Sequence, residues 1–313
     1  MGASALLLAY EDINRSGGMW PFGIDRSWNY RAFRAELLRQ QDRNDTFSSF
    51  EFSSTGGAAE AYLFEHDDRE LSGRYRFAVA RPGAPVVDDD LRDSAFNDRV
   101  SGVLLVNRKN DLLERRVSLT RQFGPDIEAT VKKALAGPGG IGGGGGPFTP
   151  SARIGTPRIS WVGCPSWDMD SGTYLTFLDS ETYARVRFPI TVTISLVLGF
   201  TDDYACSVDL YLRAGRTADD DLKISILDHR INVESGAFAG EVREGLRQRL
   251  AGKVPSFQDR IDGLVRQQWS QVPSSVKLDA AYFLPGDRTD MTASRGSGDC
   301  GSDATLVVRV TPR

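Results

Sequence analysis

Histidine is nearly missing from this chain of 313 residues, which holds two, His66 and His229. Schemes that pair a nucleophile with an imidazole therefore have few possible members, and no catalytic constellation emerges. Cysteine is almost as scarce: Cys164, Cys206 and Cys300 all lie in the second half. One disulfide with a spare thiol and three reduced thiols fit equally well. The odd count settles no compartment, and secretion is preferred to the cytoplasm. No apolar stretch approaches the length of a membrane span. Residues 5–9 are too short for the apolar region of a secretory signal and read as a first strand. A basic stripe is missing too. The net charge is −4, with 38 Lys and Arg interspersed among 42 Asp and Glu, which argues against a nucleic-acid partner.

With 40% apolar and 26% charged residues, the composition is that of an ordinary globular protein, and the length suffices for two cores. Short acidic runs at Asp88-Asp89-Asp90 and Asp219-Asp220-Asp221 read as solvated loops rather than metal cages.

The most informative feature is a repeat. The string Asn44-Asp45-Thr46-Phe47-Ser48-Ser49 returns as Asn97-Asp98-Arg99-Val100-Ser101-Gly102. Each copy follows a hairpin-like segment, Tyr10 to Gly17 in the first unit and Phe64 to Gly73 in the second, and each precedes a short apolar strand. Two copies of one supersecondary unit in about a hundred residues read as one domain built by duplication. Asn, Asp and Ser supply the hard oxygens that calcium prefers. The same residues cap turns by bonding local backbone with no metal, so the string's composition does not choose.

This pattern resembles the βγ-crystallin Greek keys: an aromatic, a second aromatic five residues on, a glycine two further, and later Asn/Asp-Asn/Asp-x-x-Ser/Thr-Ser. The likeness covers residues 1–108. It departs from the family where Arg15 replaces the second aromatic, where Gly102 replaces the last serine, and in a long middle of the first unit, residues 19–41. The resemblance implies a double Greek-key sandwich holding two calcium ions. One site would use the carbonyl of Thr46 and the hydroxyl of Ser48, the other the carbonyl of Arg99 and the hydroxyl of Ser101. Asp45 and Asp98 would cross between the units as charged ligands, and the carbonyls of Glu11 and Glu65 would close the cages. Only the carbonyl of Arg99 is needed, but its charge beside a cation is expected to weaken that site. His66 reads as an exposed hairpin-tip residue.

The remainder, residues 109–313, reads as an α+β domain: long antiparallel strands covered by helices, in a mainly β protein. A helix is expected over 123–136, with Phe123, Ile127, Val131 and Leu135 on one face, followed by a glycine-rich loop or tether at 137–147 that lacks the Gly-Lys-Ser/Thr of a phosphate loop. Alternation at 186–198, 204–214, 222–226, 276–282 and 306–310 marks a meander, with connections at 201–203 and 215–221. A long amphipathic helix is expected over 237–271, kinked or split near Lys253 by Pro255. Asp228-His229-Arg230 interrupts its strand pattern as a bulge would. The patch Trp161, Cys164, Trp167, Asp168 and Asp170 reads as a strand end with packed aromatics. The order of long strands and helices is similar in pattern to tubular lipid-binding domains. The function expected is a non-enzymatic calcium-binding protein whose C-terminal domain binds an apolar ligand, lipid or protein partner. The alternative is a membrane-active, pore-forming protein carrying a βγ-crystallin module, with 184–214 as its hairpin.

Overall fold

The computed structural model describes residues 4–33, 46–65, 73–94, 96, 98–108, 113–136, 151–163, 181–195, 201–269, 272–290 and 292–313. Asn44, Asp45, His66, the glycine tract, and Cys164, Trp167, Asp168 and Asp170 lie outside them.

Two sheets face each other in the N-terminal part. Sheet I has the order β2-β1-β4-β7, from Ser16–Ile24, Ala5–Asp12, Ser49–Ser54 and Val86–Asp88. Sheet II carries β6-β5-β8-β3, from Arg74–Ala80, Ala59–Phe64, Gly102–Asn107 and Tyr30–Phe33. The two orders are the same: the second, first and fourth strands of one unit, then the third strand of the other. Each unit therefore lends its third strand to its neighbour's sheet. Between the sheets, Leu7, Phe22, Phe50 and Phe52 pack against Ala61, Leu63, Ala78, Val103 and Leu105. The hairpin between β1 and β2 turns through Asn14 and Arg15, both at φ 57, into Gly17 at φ 73. A Cβ on Gly17 would meet the Asp12 carboxylate at 2.6 Å. Gly73, at φ 80, holds the matching place in the second unit.

Sheet II is covered on its other face as well. Along β5, Ala59, Ala61 and Leu63 enter the sandwich, while Tyr62 and Phe64 join the core of the C-terminal elements. Along β8, Val103 and Leu105 face one way and Leu104 and Val106 the other. A fifth strand closes the sheet from far along the chain: β16, Arg295–Asp299, pairs with β6 from Arg295↔Ala78 to Asp299↔Arg74. The boundary expected at residue 108 is thus crossed by both a sheet and a core.

The C-terminal elements form two further sheets. Sheet III is β15-β17-β9, from Val276–Pro285, Ala304–Pro312 and Leu113–Ser118. Sheet IV is β10-β12-β13-β14, from Ser151–Ile154, Tyr183–Ser195, Thr201–Arg216 and Leu222–Val233, with β11 (Arg158–Val162) also on β12. Residues 201–203, expected as a connection, are paired strand: Ser195 faces Thr201 and Thr193 faces Asp203. The interruption near Asp228 is a bulge, since Tyr211 faces Asp228 while Leu212 faces Ile226, leaving Leu227 over. Helix α1, Leu119–Ala136, starts earlier than expected and contains Pro125. The long helix is two, α2 (Ala239–Ala251) and α3 (Val254–Trp269), divided where Pro255 was expected to break it. Among the described residues no helix is long and apolar enough to cross a membrane.

Candidate functional site

The repeated strings dock on the strand ends by matching bonds. Ser48 N donates to Tyr10 O at 2.8 Å, and Ser101 N donates to Phe64 O at 2.8 Å. Tyr10 and Phe64 open the two hairpins, so the register of the repeat holds in space. Between Thr46 and Ser48, Phe47 plugs the core, fully buried, with its ring 5.3 Å from that of Trp20 and 5.8 Å from that of Phe22. That anchor fixes the half-buried Thr46 and the buried Ser48 on either side of it.

The strings then meet across the pseudo-symmetric pair. Asp98 N donates to Phe47 O at 3.1 Å, and the Ser48 hydroxyl donates to Asp98 Oδ1 at 3.4 Å. Asp98 sits at φ 53, the left-handed region that Asp tolerates better than most residues. A hydroxyl from one string and a carboxylate from the other thus face each other, as the carried-over pattern requires of Ser48 and Asp98. In the second unit the Ser101 hydroxyl donates to the carbonyl of Glu65 at 3.3 Å, bringing two more of the expected ligands together. The Arg99 guanidinium is 3.0 Å from the Glu65 carboxylate, which also accepts Arg74 Nε at 2.7 Å. Glu65 is thus shared between two arginines, Arg74 and Arg99. The Glu11 carboxylate, at the exposed end of β1, accepts Gly18 N at 3.3 Å. Among the described residues no three His, Cys, Asp or Glu side chains gather as a metal cluster. The oxygens assembled here are hydroxyl, carbonyl and single carboxylate, a mixture that calcium accepts and softer metals do not favour.

Of the acidic runs, Asp88 is not a solvated loop residue. It ends β7, is buried, and is ion-paired with Arg76. Trp161 is buried on β11, stacked on Phe64 at 4.9 Å, with its indole N–H donating to Phe283 O at 3.0 Å.

A second feature escaped the sequence. Between sheet III and the helices lies an apolar cavity of about 270 Å³ bordered by Leu113, Arg115, Val117, Phe123, Val265 and Trp269, among others. Its floor is alternate residues of β9 and β17 and its roof the last turns of α3. Both strands carry the period-two signal, but which helix covers them depends on the chain path. Another missed group is Glu60, which is fully buried and ion-paired with Arg116 of β9. The signal was present: a lone carboxylate in the apolar run Ala59-Glu60-Ala61-Tyr62-Leu63-Phe64 needs a buried partner.

No protein-family model matches the chain, and no curated protein matches it. Among solved structures, one described by the evolution of the eye-lens βγ-crystallin domain fold aligns at 17% identity and TM-score 0.26, over 34% of this chain and 91% of its own. A double mutant of a βγ-crystallin domain from Clostridium beijerinckii aligns at 19% identity and TM-score 0.21, over 32% of this chain and 96% of its own. A third of this mainly β chain is similar to βγ-crystallin domains, and the remainder is not recognised.

Proposed function

We propose that the chain is a non-enzymatic calcium-binding protein with a double Greek-key N-terminal part and a C-terminal part that takes an apolar ligand in the cavity beneath α3. The observation that carries the first half is the crossing of Ser48 and Asp98, a hydroxyl and a carboxylate from different repeats 3.4 Å apart. One ion would take Ser48, Asp98 and the carbonyls of Thr46 and Glu11. A second would take Ser101, Asp45 and the carbonyls of Arg99 and Glu65. Calcium there would neutralise the crossing carboxylates and tie the two loops together.

Calorimetric titration of calcium, with thermal melts run in calcium and in chelator, tests this. Binding to the folded state alone stabilises it by RT ln(1 + [L]/Kd), about 2.7 kcal/mol at a hundredfold excess over Kd. Two binding events and a raised melting temperature are expected. A melt unchanged in millimolar calcium would sink the reading.

A further inference from the structure

Strand β9 places two neighbouring arginines in opposite environments. Arg116 points into the buried layer against sheet II, bonded to Glu60 and, at 2.7 Å, to Glu114 Oε1. Arg115 points the other way, with Leu113 and Val117, into the apolar cavity. Across the ladder its neighbours are Val308 opposite Arg115, Leu306 opposite Val117 and Val310 opposite Leu113. Arg115 is thus one cation in a floor otherwise made of aliphatic side chains. It is exposed, and it has no hydrogen bond or ion pair from its side chain to any described residue. Glu114, which also borders the cavity, is already committed to Arg116 and, at 2.8 Å, to Arg309. Leu113 lies beside Arg115 at the mouth with 68% of its surface exposed, one of two large apolar side chains so displayed among the described residues.

Behind Phe123 and Val265, which line the inner end of the cavity, lie two separate small apolar voids of about 20 Å³ each between α1, α3 and sheet IV. These share Ile127, Val186, Leu212 and Ile261. The cavity itself, about 270 Å³, is lined mainly by apolar side chains, with an uncommitted guanidinium at its open end. A guanidinium matches a carboxylate through two parallel hydrogen bonds, and an apolar seam matches an unbranched hydrocarbon. We infer that this cavity binds a medium-chain monocarboxylate, its carboxylate on Arg115 and its chain running past Val117 and Phe123 towards Val265. The inference rests on the apolar-ligand reading above and names its ligand class.

The test titrates the full chain with dodecanoate below its micelle concentration and with dodecanol below its solubility limit, by calorimetry and by quenching of Trp269 with a brominated dodecanoate. Dodecanoate is expected to bind at one site about tenfold or more tighter than dodecanol. Arg115→Gln should reduce dodecanoate to the affinity of the alcohol without moving the melting temperature. Val308→Phe, which fills the floor, should weaken both ligands, and Trp269→Phe should remove the quenching. Equal binding of acid and alcohol, unaffected by Arg115→Gln, would overturn the carboxylate assignment and leave the apolar-ligand reading standing. Absence of binding by either probe to a folded chain overturns both.

Discussion

At the level of single side chains, the loop residues divide by what they touch. Ser48 and Ser101 are buried loop residues that bond to Asp98 and to the Glu65 carbonyl, and Phe47 is a core residue. Ser48→Arg and Ser101→Arg are each expected to remove one of two calcium sites in a titration and, because both hydroxyls are buried, to lower the calcium-free melting temperature as well, Ser101→Arg the more. For Asp98 the better replacement is Asn. Alanine at φ 53 adds roughly 1–2 kcal/mol of backbone strain unrelated to any ion, while Asn keeps the left-handed turn and deletes only the charge. Phe47→Ala should cost about 3–5 kcal/mol by denaturant titration, with or without calcium. These positions were legible because the repeat is local. A string, its spacing and its upstream glycine depend on neighbours within one hairpin. Glu60 was not read, because its partner Arg116 is 56 residues away and the sequence does not state which strand faces it.

Among the elements, long strands with clean alternation could be read, and β12, β13, β15 and β17 fall where the period of two put them. Strand β16 could not. Its sequence, Arg295-Gly-Ser-Gly-Asp, looks like a loop, because glycine in a strand packs nothing and is usually disfavoured. Here the two glycines make room: a Cβ on Gly296 would come within 2.7 Å of the Phe77 ring, and one on Gly298 within 2.5 Å of the Tyr75 hydroxyl. The aromatic rings of β6 lie over β16, and a bare backbone is what lets the edge close. Gly298→Ala should therefore destabilise by about 1–3 kcal/mol, the usual cost of overpacking. Gly215→Ala on β13, where a Cβ meets nothing within 4 Å, should be neutral or slightly stabilising. Urea denaturation of the pair checks this, and equal effects would mean that β16 does not pack on β6 as described. The hairpin of β12 and β13 bears on the pore-forming alternative. Val186, Phe188, Ile190 and Val192 are buried in the main core, so insertion into a bilayer would require that core to open, and leakage from lipid vesicles is not expected at neutral pH.

The molecule as a whole is organised around sheet II, which serves two cores at once. A strand buried on both faces has no polar side and reads as an unbroken apolar run, as 103–106 does, so the covering of this sheet was visible in principle even though its partner was not. The joint between the layers is charged. Glu60 accepts the Tyr62 hydroxyl at 2.6 Å and Arg116, and Arg116 meets Glu114, which holds Arg309. Arg288 lies 3.5 Å above the Phe77 ring and donates to the Tyr62 hydroxyl at 3.2 Å. Burial alone would raise the carboxyls of Glu60 and Glu114. The charge of Arg116, aided by its hydrogen bonds and the neighbouring arginines, outweighs burial and holds both below the ordinary value of 4.5. A carboxyl depressed in the folded state stabilises at pH values above its unfolded value and loses that contribution as the pH falls through the folded one. Stability should therefore be flat near neutrality and fall on acidification below about 4.5. Glu60→Ala leaves Arg116 partly uncompensated in the interior, and breaking such a pair typically costs about 3–5 kcal/mol. If the joint is what makes the two cores one cooperative unit, the parent should melt in a single calorimetric transition near neutral pH. Glu60→Ala should melt earlier, in two, and with a shallower dependence on acid. Two transitions in the parent, or a variant with an unchanged acid profile, would show that the cores hold together by apolar packing across sheet II, with the ion pairs as passengers.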